Sequence, residues 1–336
     1  MTALAHELGP EEVTSEALEA RLEPLYTRLG LHRGRLELMT GIRTRRLWPV
    51  STRPSQMAAD VGARALDKSG IDRTDLGCVV HASVCRDFLE PATAHVVHDA
   101  LGLGAGAAAF DVSNACLGVL NGMVLVANMI ELGQIRAGLV VSGENGGPLL
   151  ESTIQTLLSD PTLTRKTLKD HFASLTIGAG AVAVVLCERT LAPEAPEFHG
   201  AVLKTASEHH TLCQGGTSAQ LTMMTDSEAL LHAGIDLARA AWAEARQELG
   251  FSTTPPDRII THQVGRAHHR ALFEALDLDP ERSWTTFENL GNAGSASWPM
   301  TLSMAMDAGF VKPQHRVAVL GIGSGVATIM ARIGAA

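Results

Sequence analysis

The chain has 336 residues, 46% hydrophobic and 19% charged, with 32 glycines and a net charge of −9. That length suits two domains or one duplicated unit around a large core, and the composition describes a soluble α/β protein rich in close backbone turns. The acidic balance without a basic stripe argues against nucleic acid as a partner. No apolar run reaches the ~18 residues of a membrane span, and the first ten residues lack the segments of a signal peptide, so a cytoplasmic protein is expected.

In chain order, helices are expected at residues 16–28 and 54–69, a strand at 76–84, and a helix at 91–101. A strand-like run at 107–112 then passes through Ser113, Asn114 and Ala115 to Cys116, which heads an apolar helix at 117–132. After a strand at 138–142, a polar, helix-compatible stretch at 146–174 interrupts the pattern. Strands at 180–187 and 201–206 flank a proline-containing join at 191–198, and a methionine-bearing loop at 212–226 is a second interruption. Such inserts often form lids or binding walls, or serve as dimer contacts. Helices at 228–249, 265–276 and 297–308 alternate with strands at 258–262, 317–322 and 327–333. The alternation reads as mostly parallel sheets covered by helices.

The chain repeats itself once. Glu131-Leu132-Gly133 and the strand after it parallel Asp307-Ala308-Gly309 and the strand that follows. Counting back equally from Gly133 and Gly309 reaches Cys116 and Asn292. We therefore expect two related units, 1–190 and 191–336, with Cys116 and Asn292 at equivalent places.

The five cysteines, Cys78, Cys85, Cys116, Cys187 and Cys213, are widely spaced and include no C-x-x-C pair, so neither a disulfide framework nor a zinc site is expected. No metal is expected from the histidines either. Unpaired N–H groups and the helix dipole at the tip of 117–132 favour a thiolate on Cys116; position alone also admits a small buried hydrophobe. His262 ends a strand, where parallel sheets gather functional groups, and Asn292 sits in a small-residue turn that lets a ligand approach the backbone. Each alone would read as structural. Together, a cysteine nucleophile with a histidine and an asparagine suits acyl transfer, provided an oxyanion or enolate is stabilised. The Gly-rich turn Gly321-Ile322-Gly323-Ser324-Gly325 offers inward N–H groups, or is a simple hairpin.

Asn114-Ala115-Cys116, Thr261-His262-Gln263, the run from Gly291 to Ser297 and the Gly321–Gly325 turn resemble the ketoacyl-synthase III branch of the thiolase superfamily, in order and over essentially the whole chain. The resemblance implies a five-layered αβαβα thiolase fold and a homodimer, with a heterodimer of related thiolases as an alternative. It assigns acyl uptake to Cys116, action on the second substrate to His262 and Asn292, and an oxyanion hole to the amides of Cys116 and Ser324. Three segments are closer to the long-chain head-to-head condensing thiolases of olefin biosynthesis (OleA type): Ser83 through Pro91, Gly41 through Trp48, and the insert around Met223. In that group a glutamate at the place of Glu90 enters the partner's active site as the base for an α-carbon.

The implied reaction is a non-decarboxylative Claisen condensation of two acyl-CoA thioesters to a β-ketoacyl-CoA, with coenzyme A as substrate carrier and no other cofactor. The alternatives are a decarboxylating synthase fed by malonyl units and acyl transfer to a hydroxyl or amine. The structural alternative for Glu90 is a helix-start carboxylate ahead of Pro91, and the flanking Arg-Asp-Phe-Leu-Glu-Pro string favours the base. Arg43, Arg45, Arg46 and Arg266 are candidates for CoA phosphates or for plain ion pairs, and Met223 for the acyl wall.

Overall fold

Residues 1–217 and 221–334 are described by a computed structural model. Strand β1 (Ala3–Leu8) precedes a ribbon of β2 (Glu11–Thr14) and β3 (Thr44–Leu47), which enclose the short helices α1 (Ser15–Arg21), α2 (Glu23–Leu29) and α3 (Arg35–Thr40). There follow α4 (Pro54–Ser69), β4 (Leu76–His81), α5 (Thr93–Ala100), β5 (Ala108–Asp111), α6 (Gly118–Glu131), β6 (Ala137–Glu144), α7 (Gly147–Ser159) and β7 (Gly180–Cys187). Then come β8 (Glu197–Thr205), the hairpin of β9 (Cys213–Thr217) and β10 (Leu221–Thr225), α8 (Ser227–Glu248) and β11 (Arg258–Thr261). The chain closes with α9 (Arg266–Leu276), α10 (Phe287–Leu290), α11 (Ser297–Asp307), β12 (Arg316–Gly323) and β13 (Ala327–Gly334).

Two sheets dominate. The first has the order β1-β7-β6-β4-β5 and the second β11-β12-β13-β8. In each, one parallel pair (β4 with β6, β11 with β12) continues through two antiparallel neighbours (β7 and β1, β13 and β8). An isolated parallel bridge from Ile259 to Ser283 stands where the first sheet has β5. The same strand logic is thus built twice, and Cys116 and Asn292 each precede the helix that leads to the corresponding strand of its sheet, β6 and β12.

Side-chain alternation along these strands fixes the layering. Val79, Leu139, Val141 and Val185 face outward onto Met57, Val61 and Ala65 of α4. Their neighbours Val80, Val140 and Val184 face inward onto Leu120 and Met123 of α6 and onto Trp298 and Leu302 of α11, which also receive Val317, Val319 and Ile329 of the second sheet. The far side of that sheet, Ala318, Leu320 and Met330, meets Ala238 and Trp242 of α8 and Leu272 and Phe273 of α9. The result is αβαβα, with α6 and α11 buried between two sheets.

Several local expectations change. The expected helix 16–28 is two helices separated at Leu22, with Pro24 in the first turn of α2. Helix α5 starts at Thr93 after Ala92, so Pro91 is not its first helical residue and Glu90 is not a helix-start carboxylate. The stretch 212–226 is a hairpin rather than a loop, with 218–220 outside the described residues. That hairpin packs on the 146–174 insert: Ser152 Oγ donates to Leu221 O at 2.6 Å and Ser174 Oγ to Met223 O at 3.1 Å. The two inserts make one wall.

Candidate active site

Cys116 is delivered by a sharp turn. Ala115 adopts φ +44°, in the left-handed region that few non-glycine residues tolerate, and its single methyl group keeps the cost low. Asn114 braces the turn: its O accepts from Leu117 N at 2.9 Å and its Nδ2 donates to Asn121 Oδ1 at 2.7 Å. Helix α6 begins only at Gly118, so Cys116 stands just outside its first turn.

The β12–β13 hairpin lies against this turn. A Cβ at Gly321 would come within 2.6 Å of Leu117 Cδ2, and one at Gly323 would lie 3.0 Å from Leu117 Cγ and 3.8 Å from Cys116 N. Glycine at both positions lets the hairpin approach the nucleophile's backbone. Among the described residues, the Ser324 N–H enters no main-chain hydrogen bond, and the Cys116 N–H faces only its own thiol.

His262 leaves the end of β11 with its N–H bonded to Leu320 O at 3.0 Å, which holds it beside the last residues of β12. Both ring nitrogens are buried without a protein partner. Burial, helped by nearby His268, pushes the imidazole down to about 3, so it is neutral at physiological pH and keeps one N–H to donate. Gln263 beside it anchors the turn: Nε2 donates to Thr261 O at 2.9 Å, and Oε1 accepts from Thr286 N at 2.9 Å and Phe287 N at 3.2 Å.

Asn292 N donates to Thr176 O, and Asn292 O accepts from Gly178 N, each at 2.9 Å. Its side-chain Oδ1 accepts from Gly294 N at 3.0 Å and from Ser297 Oγ at 3.4 Å. Those two donors fix the amide orientation and leave its NH₂ for a ligand.

The resting thiol departs from expectation. Burial raises Cys116 from 9.0 to about 12, with Glu144 and Cys213 adding to the rise. A helix terminus is worth about 1 kcal/mol, whereas each unit of this rise corresponds to about 1.4 kcal/mol, so desolvation outweighs the tip of α6. The resting pair is a thiol with a neutral imidazole. We therefore expect iodoacetamide alkylation of Cys116 to climb about tenfold per pH unit from pH 7 to 10. A plateau near pH 8 would contradict this.

Sequence reading did not single out Glu144. It is buried at the end of β6 and accepts from Val84 N (3.0 Å), Cys85 N (3.1 Å), Ser295 N (3.1 Å) and Ser295 Oγ (2.7 Å). Its partners come from two distant segments, so no local pattern announces it.

Glu90 is not in this cluster. It sits exposed near the end of a loop with Val84, Phe88 and Leu89, the last 92% exposed. Among the arginines, Arg43 is exposed and donates to Asn289 Oδ1 at 2.6 Å, Arg46 lies 3.8 Å from Glu12, and exposed Arg266 packs on Gly41. Arg45 is fully buried, bonded to Ser15 Oγ and Leu175 O, and so cannot meet a CoA phosphate. Met223 is half-buried in the insert wall.

Residues 38–187 match the thiolase N-terminal domain, and 247–333 match the C-terminal domain of 3-oxoacyl-[acyl-carrier-protein] synthase III. The chain is 41% identical to the acyl-CoA:acyl-CoA alkyltransferase of Shewanella oneidensis, over 98% of its own length and 97% of that protein. It is 38% identical to the Xanthomonas campestris protein of the same name, over 99% and 97%. Crystal structures of Xanthomonas campestris OleA superpose at a TM-score of 0.94 and 37% identity, covering 99% of this chain and 97% of that one. That enzyme has been solved with bound cerulenin, and a cysteine variant of it with lauric acid and lauroyl-CoA. From the repeated sheets, the site and this full-length similarity, the chain belongs to the acyl-CoA:acyl-CoA alkyltransferases of the thiolase superfamily.

Proposed function

We infer that this chain joins two acyl-CoA thioesters by a Claisen condensation without decarboxylation, through an acyl group held on Cys116. Cys116 Sγ attacks the carbonyl carbon of the first acyl-CoA, and the oxyanion forms against the N–H groups of Cys116 and Ser324. Collapse breaks the C–S bond to CoA, and the thiol proton leaves with CoA as its free thiol. A second acyl-CoA enters, and Glu90 of the other subunit removes its α-proton. The enolate oxygen is held by the neutral His262 N–H and the Asn292 NH₂. The α-carbon attacks the Cys116 thioester, the bond to Sγ breaks, the Sγ thiolate regains a proton as Glu90 gives up the one it took, and a β-ketoacyl-CoA departs.

What supports this reading is a set of donors on segments that adjoin the Cys116 turn: the Ser324 N–H on the hairpin packed against it, a neutral imidazole with no protein partner, and an amide whose oxygen is already committed. Two ordinary acyl thioesters contain no carboxylate to lose, so their union needs a base, and an exposed glutamate on a loop suits a base supplied across a dimer. Among OleA variants already solved, the substituted cysteine and the substituted glutamate are separated by the same number of positions as Cys116 and Glu90 here. A homodimer is further supported by β5, the sheet edge nearest that loop, and by the exposed Val84, Phe88 and Leu89.

The test is stoichiometric. Incubation with a single saturated acyl-CoA, with no malonyl compound present, should yield one free CoA and one β-ketoacyl-CoA for every two substrates consumed. Product formed only with malonyl-CoA, with release of CO₂, would make the enzyme a decarboxylating synthase.

A further inference from the structure

The loop from Val84 to Pro91 is held at three places and free at its tip. Glu144 grips its start through Val84 N and Cys85 N. Asp87 grips its middle, accepting from Ser55 N at 2.9 Å and Ser55 Oγ at 2.5 Å. Beyond the tip, Asp111 accepts from Thr93 N and Ala94 N at 2.9 and 2.8 Å, fixing the start of α5. Phe88, Leu89 and Glu90 project from this frame into solvent.

The same Glu144 carboxylate also reaches the turn that carries Asn292. Its Oε1 meets Ser295 N and Oγ, and a Cβ at Gly294 would come within 2.8 Å of that oxygen. From Ser295 a buried chain continues through Ser142 Oγ (2.9 Å), Ser83 Oγ (2.9 Å) and His81 Nε2 (3.1 Å), and His81 Nδ1 lies 3.8 Å from Asp111. The root of the loop therefore shares one hydrogen-bonded network with the turn that carries Asn292, and that network ends at His81, 3.8 Å from the Asp111 that fixes α5. A satisfied network of this kind rigidifies what it touches.

We propose that Glu144 is a positioning residue with a reach across the dimer: by fixing the root of the Val84–Pro91 loop in its own subunit, it sets the place of Glu90 in the partner's active site. The proposal rests on the assignment of Glu90 as the base. A carboxylate is suited to this role because both its oxygens accept. In Glu144→Gln one of them becomes an NH₂ that opposes a backbone N–H at the loop root. Loading of Cys116 needs neither Glu90 nor its loop, so the two half-reactions should separate.

The test compares Glu144→Gln with Glu90→Gln, following acyl loading of Cys116 by intact-protein mass and condensation by β-ketoacyl-CoA formed. Glu144→Gln should load at least as fast as the parent, because removing its charge relaxes the upward push on the Cys116 thiol, and should lose condensation by about 100-fold, the scale of a misplaced catalytic group. Mixed with Cys116→Ala it should regain activity, because the only Cys116 site in the mixed dimer then receives Glu90 from a subunit with an intact Glu144. No regain on mixing, or condensation at the parent rate in the Glu144→Gln homodimer, overturns the proposal. Glu90→Gln that still condenses refutes the base assignment separately. If Glu144→Gln does not fold, amide exchange of the parent enzyme decides. Slow exchange at Val84 and Cys85 with fast exchange at Leu89 is expected, and equally fast exchange at all three overturns the proposal.

Discussion

Glu90→Gln should take up an acyl group on Cys116 at the parent rate and then stall, with β-ketoacyl-CoA formation reduced by about 10²–10⁴-fold, the usual contribution of a positioned base. The amide is isosteric and the side chain is exposed, so folding should be unaffected. The stalled enzyme should accumulate as an acyl-protein visible by mass. Exchange of the second substrate's α-proton with deuterated solvent should disappear with it. Retained condensation would remove Glu90 from the mechanism and return the choice to a decarboxylating reaction, in which loss of CO₂ generates the carbanion.

Cys116→Ala should abolish both stages. No acyl adduct should form, and condensation should fall by an amount on the order of 10⁴-fold or more, as expected when the nucleophile of an interdependent set is removed. The donors around it remain, so the variant should still bind acyl-CoA; a half-buried thiol replaced by a methyl group should alter stability by no more than about 1 kcal/mol. An acyl-protein that persists in Cys116→Ala would point to Cys85 or Cys213 as the acyl carrier. Burial and the neighbouring Glu144 hold Cys85 well above the ordinary thiol range, which makes it a poor substitute.

Cys116, His262 and Asn292 stood out in the sequence as candidates because each stands where local grammar changes: the end of a strand, the head of a helix, a turn of small residues. The duplication added what local grammar lacks, by placing Asn292 opposite Cys116, and four strands of the first sheet recur in the second. The ribbon of β2 and β3 and the break at Leu22 were missed because these segments are short and carry weak periodicity. The charge state of Cys116 was misread for a different reason. Proximity to a helix can be seen in sequence, but desolvation by residues far along the chain cannot. Glu144 was invisible on the same ground, since it binds Val84, Cys85 and Ser295 only once two sheets and a buried helix layer have assembled. The buried guanidinium of Arg45 could not be told in sequence from exposed Arg43 and half-buried Arg46 beside it.

Mixing two inactive variants tests whether one subunit supplies the thiol and the other the base. Glu90→Gln and Cys116→Ala homodimers should each be inactive in condensation. After subunit exchange, half the dimers pair one subunit of each kind, and one of their two sites holds Cys116 with Glu90 from its partner, so activity should return to about a quarter of the parent level. If the mixture remains inactive although mass measurements confirm that mixed dimers have formed, Glu90 does not act across the interface and the account is wrong.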